Sequence, residues 1–101
     1  EYSLLCRLFD FDLQEVARAE DVGLLAWSPL ATGMLSGKYL DGARPKGTRW
    51  TLLPGGTRRD TKTAQESVRA YMNVAKSHGL DVTQMALAFV NQQKFLTANI
   101  I

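Results

Sequence analysis

The segment from Leu24 to Tyr39, LLAWSPLATGMLSGKY, gives the clearest indication of the fold class of this chain. Its first four residues form an apolar run that is typical of a strand buried on both faces of a sheet. Pro29 has no N–H group to donate to a neighbouring strand, so the strand must end near Ser28. The residues that follow lie at the carboxyl end of this strand, where α/β sheets place their ligands. Backbone N–H groups there, together with Lys38, make a candidate anion site.

The composition is that of one soluble globular unit, with 46% hydrophobic and 22% charged residues in a chain of 101. A net charge of +2 is too small to indicate a nucleic-acid partner. No apolar run approaches the roughly 20 residues of a membrane span. The single Cys6 cannot form an internal disulfide, which favours a reducing compartment, and we expect a cytoplasmic protein.

Both ends of the chain suggest a piece of a longer protein. The first residue is Glu1 rather than Met, and the segment Thr97–Ile101 looks like a strand that is cut off midway. We therefore expect further sequence on either side.

Three capping boxes predict where helices begin, since each has a side-chain acceptor followed three residues later by Glu or Gln. Gly23 is predicted to end the first helix in the left-handed conformation, and Gly79 is predicted to stop the second. The boxes are Asp12–Glu15, Thr63–Glu66 and Asp81–Gln84.

Strands alternate with these helices along the chain. Tyr2–Leu5 reads as the end of one strand, Leu24–Trp27 as a second and Phe95–Ile101 as a third. A polar stretch from Leu40 to Arg59 is rich in Gly and Pro and predicts a loop. Loops longer than about 12–15 residues are usually functional or disordered. The alternation predicts an α/β fold with a parallel sheet and covering helices.

The motif WSPLA at Trp27–Ala31, with Gly33 and the later Gly37-Lys38-Tyr39, strongly resembles the cofactor loop of aldo-keto reductases. The most similar branch contains bacterial NADP(H)-dependent reductases and the β subunits of voltage-gated potassium channels. The likeness covers essentially the whole chain in order, which makes it specific. Its other blocks are EYSLL at 1–5, EDVGLL at 20–25, HGL at 78–80 and QMALAF at 84–89.

The resemblance implies an α/β fold that is the C-terminal portion, about the last third, of a (β/α)8 TIM barrel. Residues 1–101 would run from the end of strand six to within strand eight and include the long loop 40–59. The barrel is incomplete in this chain, because a whole one needs roughly 250 residues, or at least about 200. Three strands cannot close a barrel.

The resemblance also implies an NADP(H)-dependent oxidoreductase that transfers hydride between nicotinamide and a small aldehyde or ketone. The catalytic tetrad of the family (Asp, Tyr, Lys and His) comes from earlier strands, so this chain holds no catalytic residue and is expected to be inactive alone. The alternative is a nicotinamide-binding regulatory subunit like the channel β subunits, which keep the same loop. A third reading, an independent small domain, is disfavoured by the interrupted last strand.

Eight residues match cofactor positions of the family. Trp27 offers a flat apolar surface on which a nicotinamide ring could stack. The turn that follows it matches the pyrophosphate site, because short side chains let the backbone approach phosphates. The alternatives are a Trp packed at the rim of the barrel and a plain Ser-Pro turn. The eight are Trp27, Ser28, Pro29, Leu30, Ala31, Thr32, Lys38 and, in the loop over the cofactor, Arg49.

Other chemistry-bearing residues have structural interpretations. His78 stands in the last turn before Gly79, where a cation suits the helix carbonyls. Cys6 has no adjacent base and reads as a small buried residue. No metal-ligand cluster is present in the sequence pattern.

Overall fold

A computed structural model describes residues 1–53 and 58–101 of the chain. The predicted loop 40–59 therefore includes four residues, 54–57, that lie outside the described residues. The helices are α1 (Leu13–Ala19), α2 (Arg49–Leu52), α3 (Lys62–Ser77) and α4 (Val82–Asn91). Within the described ranges, no helix has both the length and the apolar character needed to cross a membrane.

The sheet consists of two strands, β1 (Leu24–Trp27) and β2 (Leu96–Ile100), which pair in parallel. The last residue of β1, Trp27, lies opposite Ile100, so the carboxyl ends of both strands meet at one edge. The parallel pairing that the alternation predicts is confirmed. It requires a long crossover, which the loop, α3 and α4 supply.

One face of β1 is buried and the other is not. Ala26 is fully buried beside Tyr2 and Val90, whereas Leu25 is 57% and Trp27 is 49% exposed. The prediction of a strand buried on both faces is thus wrong for this chain. The physical reason is that α4 and the N-terminal segment cover one face, and no described residue buries the side chains of the other.

The segment Tyr2–Leu5 is not a strand. Ser3 and Cys6 form an isolated bridge that reverses the chain, so only the N–H of Tyr2 reaches β1, donating to the Trp27 carbonyl at 3.3 Å. The ring of Tyr2 is buried and its hydroxyl donates to Asp10 at 2.8 Å. Burial, followed by this hydrogen bond, raises the pKa of Tyr2 to about 12. The phenol therefore stays protonated at neutral pH.

The predicted cap of α4 is confirmed. The Asp81 carboxylate accepts hydrogen bonds from the N–H groups of Thr83 at 2.8 Å and Gln84 at 3.0 Å. Two of the donors left open at the start of the helix are thereby satisfied.

The box at Asp12 predicts the start of α1 correctly, because Asp12 directly precedes Leu13 as the N-cap, but the capping hydrogen bond is absent. The box at Thr63 is wrong. Asp12 has helical backbone angles, φ −101° and ψ −34°, and its side chain makes no capping hydrogen bond. The cap of α3 is Thr61 rather than Thr63, because Thr61 has the extended backbone that a cap requires. Its hydroxyl accepts a hydrogen bond from the N–H of Ala64 at 3.1 Å.

Gly23 does not end α1. The helix stops at Ala19, and Asp21 takes the left-handed conformation at φ 53°. Gly23 instead permits close packing of the strands, since a Cβ there would come within 1.9 Å of the Thr97 hydroxyl. α3 ends just before Gly79, as predicted, and Gly79 takes the left-handed conformation with φ 66°.

The predicted loop 40–59 contains ordered structure, namely the one-turn α2 and a buried tryptophan. Trp50 is 5% exposed and stacks on Tyr39 with ring centroids 4.0 Å apart and planes inclined by 4°. Both rings belong to the core formed with Met34, Leu35 and Val68. The loop is therefore packed onto the domain at its centre.

We expect Asp81→Ala to lower the free energy of unfolding of the whole protein by about 1 kcal/mol, the usual value of a cap. Asp12→Ala is the matched control and should change it by less than half as much, because Asp12 caps nothing. Chemical denaturation of the two variants measures both values. Equal losses would contradict the assignment of the caps.

Candidate functional site

A cleft of about 440 Å³ opens at the carboxyl end of both strands. This is the end at which parallel α/β folds bind ligands. Seven of the eight predicted cofactor residues line it: Trp27, Ser28, Pro29, Leu30, Thr32, Lys38 and Arg49. Gly33, Ile100 and Ile101 complete the lining.

Ala31 is the predicted cofactor residue that does not line the cleft. Its side chain is fully buried in the core with Met34 and Leu35. Its N–H donates to the Ser28 carbonyl at 2.9 Å. Ala31 thus shapes the turn from beneath, and its small size lets the turn lie close to the core.

The turn after β1 has an unusual backbone. Ser28, Ala31 and Thr32 take left-handed φ values of 55°, 49° and 57°, although none is glycine. Such residues cost of the order of 1–3 kcal/mol each and cluster at ligand sites, where the surrounding structure enforces them. Ser28 and Thr32 line the cleft, and Ala31 is buried in the core next to them in the chain.

Several polar groups of the turn are already engaged within it. The N–H groups of Gly33 and Leu35 both donate to the Leu30 carbonyl, at 2.9 and 3.2 Å. The Thr32 hydroxyl donates to the Ala31 carbonyl at 2.7 Å. Among the described residues the Ser28 hydroxyl has no hydrogen-bond partner, which leaves it available to a ligand.

Two cations give the cleft a positive character. Lys38 and Arg49 are both exposed, and neither lies within ion-pair distance of a carboxylate in the part of the chain that the structure describes. No described lining residue is acidic. A concave site lined by one sign of charge attracts ligands of the opposite sign. The cleft is therefore suited to an anion.

Gly33 allows Lys38 to lie against the turn. A Cβ at Gly33 would come within 3.2 Å of both the Lys38 Cε and the Tyr39 Cε2 atoms. With φ 94°, Gly33 also takes a conformation that other residues adopt only under strain. Gly33 thus permits both the turn and the close packing of Lys38 and Tyr39.

The ends of the two strands bring an aromatic and an aliphatic side chain to the cleft. Half of the Trp27 side chain is exposed. Ile100 pairs with Trp27 across the sheet and brings a second apolar side chain to the same opening. Ile100 and Ile101 were not predicted as site residues, although the carboxyl ends of neighbouring parallel strands meet at one edge of a sheet and the sequence predicts a strand at Phe95–Ile101.

The remaining candidates keep structural roles. The ring nitrogen Nδ1 of His78 lies 2.9 Å from the Val74 carbonyl, which confirms a histidine that binds helix carbonyls. Cys6 is half-buried. Within residues 1–53 and 58–101, no group of three or more His, Cys, Asp and Glu residues could hold a metal.

A second cavity, of about 350 Å³, lies at the opposite end of the sheet. It is lined by Arg18, Asp21, Lys94 and Thr97 among others, so charges of both signs occur in it. Its electrostatic character differs from that of the cleft.

Comparison with known proteins identifies the family. All 101 residues match the family model described as "Aldo/keto reductase family". The chain is 49% identical over 100 residues to "Protein tas" of Escherichia coli (strain K12), covering 99% of this chain and 29% of that protein. It is 33% identical over 107 residues to the "Putative voltage-gated potassium channel subunit beta" of Schizosaccharomyces pombe, covering 100% and 31%.

A third relative is the "L-glyceraldehyde 3-phosphate reductase" of Escherichia coli O157:H7, which is 31% identical over 106 residues, or 99% of this chain and 30% of that protein. The chain thus spans about three-tenths of the length of the curated relatives it matches. Because the match extends over every residue, the chain belongs to the aldo/keto reductase family.

Proposed function

We propose that this chain supplies part of the cofactor site of an NADP(H)-dependent aldo-keto reductase. The protein would transfer hydride between nicotinamide and a small aldehyde or ketone. The observation that carries the proposal is the cleft, in which a half-exposed indole and two cations occur together and no described lining residue has an acidic side chain. A dinucleotide has the two complementary parts, a flat ring that can stack on the indole and a dianionic pyrophosphate that can pair with the cations.

The residues present fit such a cofactor. Lys38 and Arg49 would bind phosphate oxygens, and the Ser28 hydroxyl would donate a further hydrogen bond. Trp27 would hold the nicotinamide by stacking against one face of the ring. When bound, the cofactor supplies the hydride, while these residues bind and orient it. The choice of NADP(H) rather than NAD(H) as the cofactor rests on the family resemblance.

The exposed face of β1 supports the proposal that this chain is part of a larger barrel. Residues 1–101 would run from the end of strand six into strand eight of a (β/α)8 barrel, with β1 as strand seven. Leu25 and Trp27 leave one face of β1 exposed, and the side chains that fill the interior of a barrel would cover that face. The cleft then lies at the end of the barrel where such enzymes bind ligands.

Proton transfer must come from another part of the protein. No His, Tyr, Asp or Glu is among the described residues lining the cleft. The groups that protonate the carbonyl oxygen would come from earlier strands of the barrel. This chain would bind and orient the cofactor.

We also propose a cytoplasmic location. The single cysteine of the sequence cannot form an internal disulfide, which favours a reducing compartment.

A second candidate is a nicotinamide-binding regulatory subunit. The relative from Schizosaccharomyces pombe favours it, since that protein is named as a channel subunit beta. Such a protein would bind NADPH in the same cleft, and the two candidates differ in turnover.

The test of the proposed function is NADPH oxidation by the whole protein with 4-nitrobenzaldehyde as substrate. We expect turnover above a no-protein blank, in a preparation free of host reductases, and slower turnover with NADH. Tight NADPH binding without turnover would favour the regulatory subunit. Absence of both binding and turnover would refute the proposed function.

Replacing the indole tests its contact with the ring. We expect Trp27→Ala in the whole protein to weaken NADPH binding about ten-fold or more, because stacking contributes roughly 0.5–1.5 kcal/mol beyond buried area and 1.4 kcal/mol is one decade. Turnover should fall further, since a loosely held ring is misoriented. Fluorescence titration measures the affinity.

Trp27→Phe is the control for that experiment, as it keeps an aromatic surface and should lose less affinity. If Trp27→Ala binds NADPH as tightly as the unmodified protein with its fold intact, Trp27 only packs at the rim.

The positive charge of the cleft has its own test. We expect Lys38→Gln to raise the dissociation constant for NADPH about ten-fold at low salt and to reduce its dependence on salt, because one exposed cation is lost. Lys94→Gln is the matched control, since Lys94 is an exposed lysine at the other cavity. Titrations at several salt concentrations measure both variants, and equal effects would contradict a specific role for Lys38.

A further inference from the structure

Arg49 reaches the cleft from a loop, yet its neighbour in the chain is one of the most buried residues. Arg49 is exposed and begins the single turn of α2. Trp50 follows it directly and is 5% exposed. Because the two residues are consecutive, the contacts that fix Trp50 in the core also fix the backbone at Arg49.

Besides its packing in the core, the Trp50 ring makes two specific contacts. Its ring stacks on Tyr39 at a centroid distance of 4.0 Å. The guanidinium carbon of Arg44 lies 5.0 Å from the Trp50 ring centroid, a cation–π contact. Tyr39 immediately follows Lys38, so the stack also joins the two segments that supply the cations of the cleft.

Arg44 is in turn linked to α3 through Asp60, which precedes the helix and binds Gln65 within it. Its Nη2 atom lies 2.5 Å from the Asp60 carboxylate, which also accepts a hydrogen bond from the Gln65 amide at 2.6 Å. The hydrogen bond from Gln65, followed by that from Arg44, lowers the pKa of Asp60, so the ion pair persists at neutral pH. The Gln65 carbonyl oxygen accepts from the Asp41 N–H at 3.0 Å. We call Tyr39, Arg44, Trp50, Asp60 and Gln65 the loop clamp.

We infer that Arg44 is a positioning residue, which acts through Trp50 to hold Arg49 at the cleft for a bound pyrophosphate. This inference rests on the proposed function. Arg44 is not among the residues that line the cleft, and its charge is paired with Asp60. Its effect on an anionic ligand therefore passes through the loop. A loop that is ordered before binding loses less conformational entropy when the ligand arrives.

A double-mutant cycle on NADPH affinity in the whole protein tests the inference. We expect Arg49→Gln to weaken binding about ten-fold, as loss of a charge-assisted hydrogen bond does. Arg44→Gln should weaken it about three- to ten-fold and flatten the salt dependence as Arg49→Gln does. The double variant should bind no more weakly than Arg49→Gln alone, because Arg44 acts only through Arg49.

The chain offers a closely matched control. Arg7 also pairs with a carboxylate, that of Asp10, and its guanidinium carbon lies 4.6 Å from the Phe89 ring centroid, far along the chain from the loop. Arg7→Gln should leave NADPH affinity unchanged. Arg44→Lys keeps a cation beside the ring and should restore part of the affinity.

Asp60→Asn provides a second way to break the clamp and should reproduce the effect of Arg44→Gln. Two results overturn the inference: additive losses in the double variant, or affinities of Arg44→Gln and Asp60→Asn that equal that of the unmodified protein. Inorganic pyrophosphate, titrated by calorimetry, separates the two proposals. If pyrophosphate binds with the same coupling while NADPH does not bind, the proposed function fails and the clamp stands. If neither binds, both fail.

Discussion

The parallel pairing of β1 with β2 determines how the remainder of the chain is arranged. Two strands that point the same way cannot be joined by a tight turn, so the chain must return over a long crossover. That crossover holds the strained turn, the loop, α3 and α4. The pairing also brings Trp27 beside Ile100, which opens the cleft where both strands end.

Much of the fold could be predicted because local patterns and packing agree. Asp81 caps α4 as its box indicates, and β1 ends where Pro29 requires. At Asp12 the same pattern marks the start of α1, but the side chain makes no capping hydrogen bond, since the chain enters the helix with its backbone already helical. A box describes side chains that could cap a helix, but the path of the preceding backbone decides whether they do. Tertiary packing, which the pattern does not contain, sets that path.

The candidate site was predictable to the extent that it follows the motif along the chain. Seven of the eight residues surround one cleft, including Arg49, which the loop brings back from beyond Tyr39. Ala31 could not be separated from its neighbours by sequence, because only the backbone angles show that its side chain enters the core. Trp50 was likewise missed in a stretch read as a loop, although a tryptophan among polar residues often anchors to a core.

The two tryptophans of this chain differ in exposure to solvent, and they can therefore serve as two intrinsic fluorescence probes. Trp50 is sealed between other side chains, while half of Trp27 meets solvent at the cleft. A small anionic quencher such as iodide, drawn toward Lys38 and Arg49, would reach the emission of Trp27 and not that of Trp50. Occupancy of the cleft and integrity of the loop can thus be followed separately, without attaching a dye.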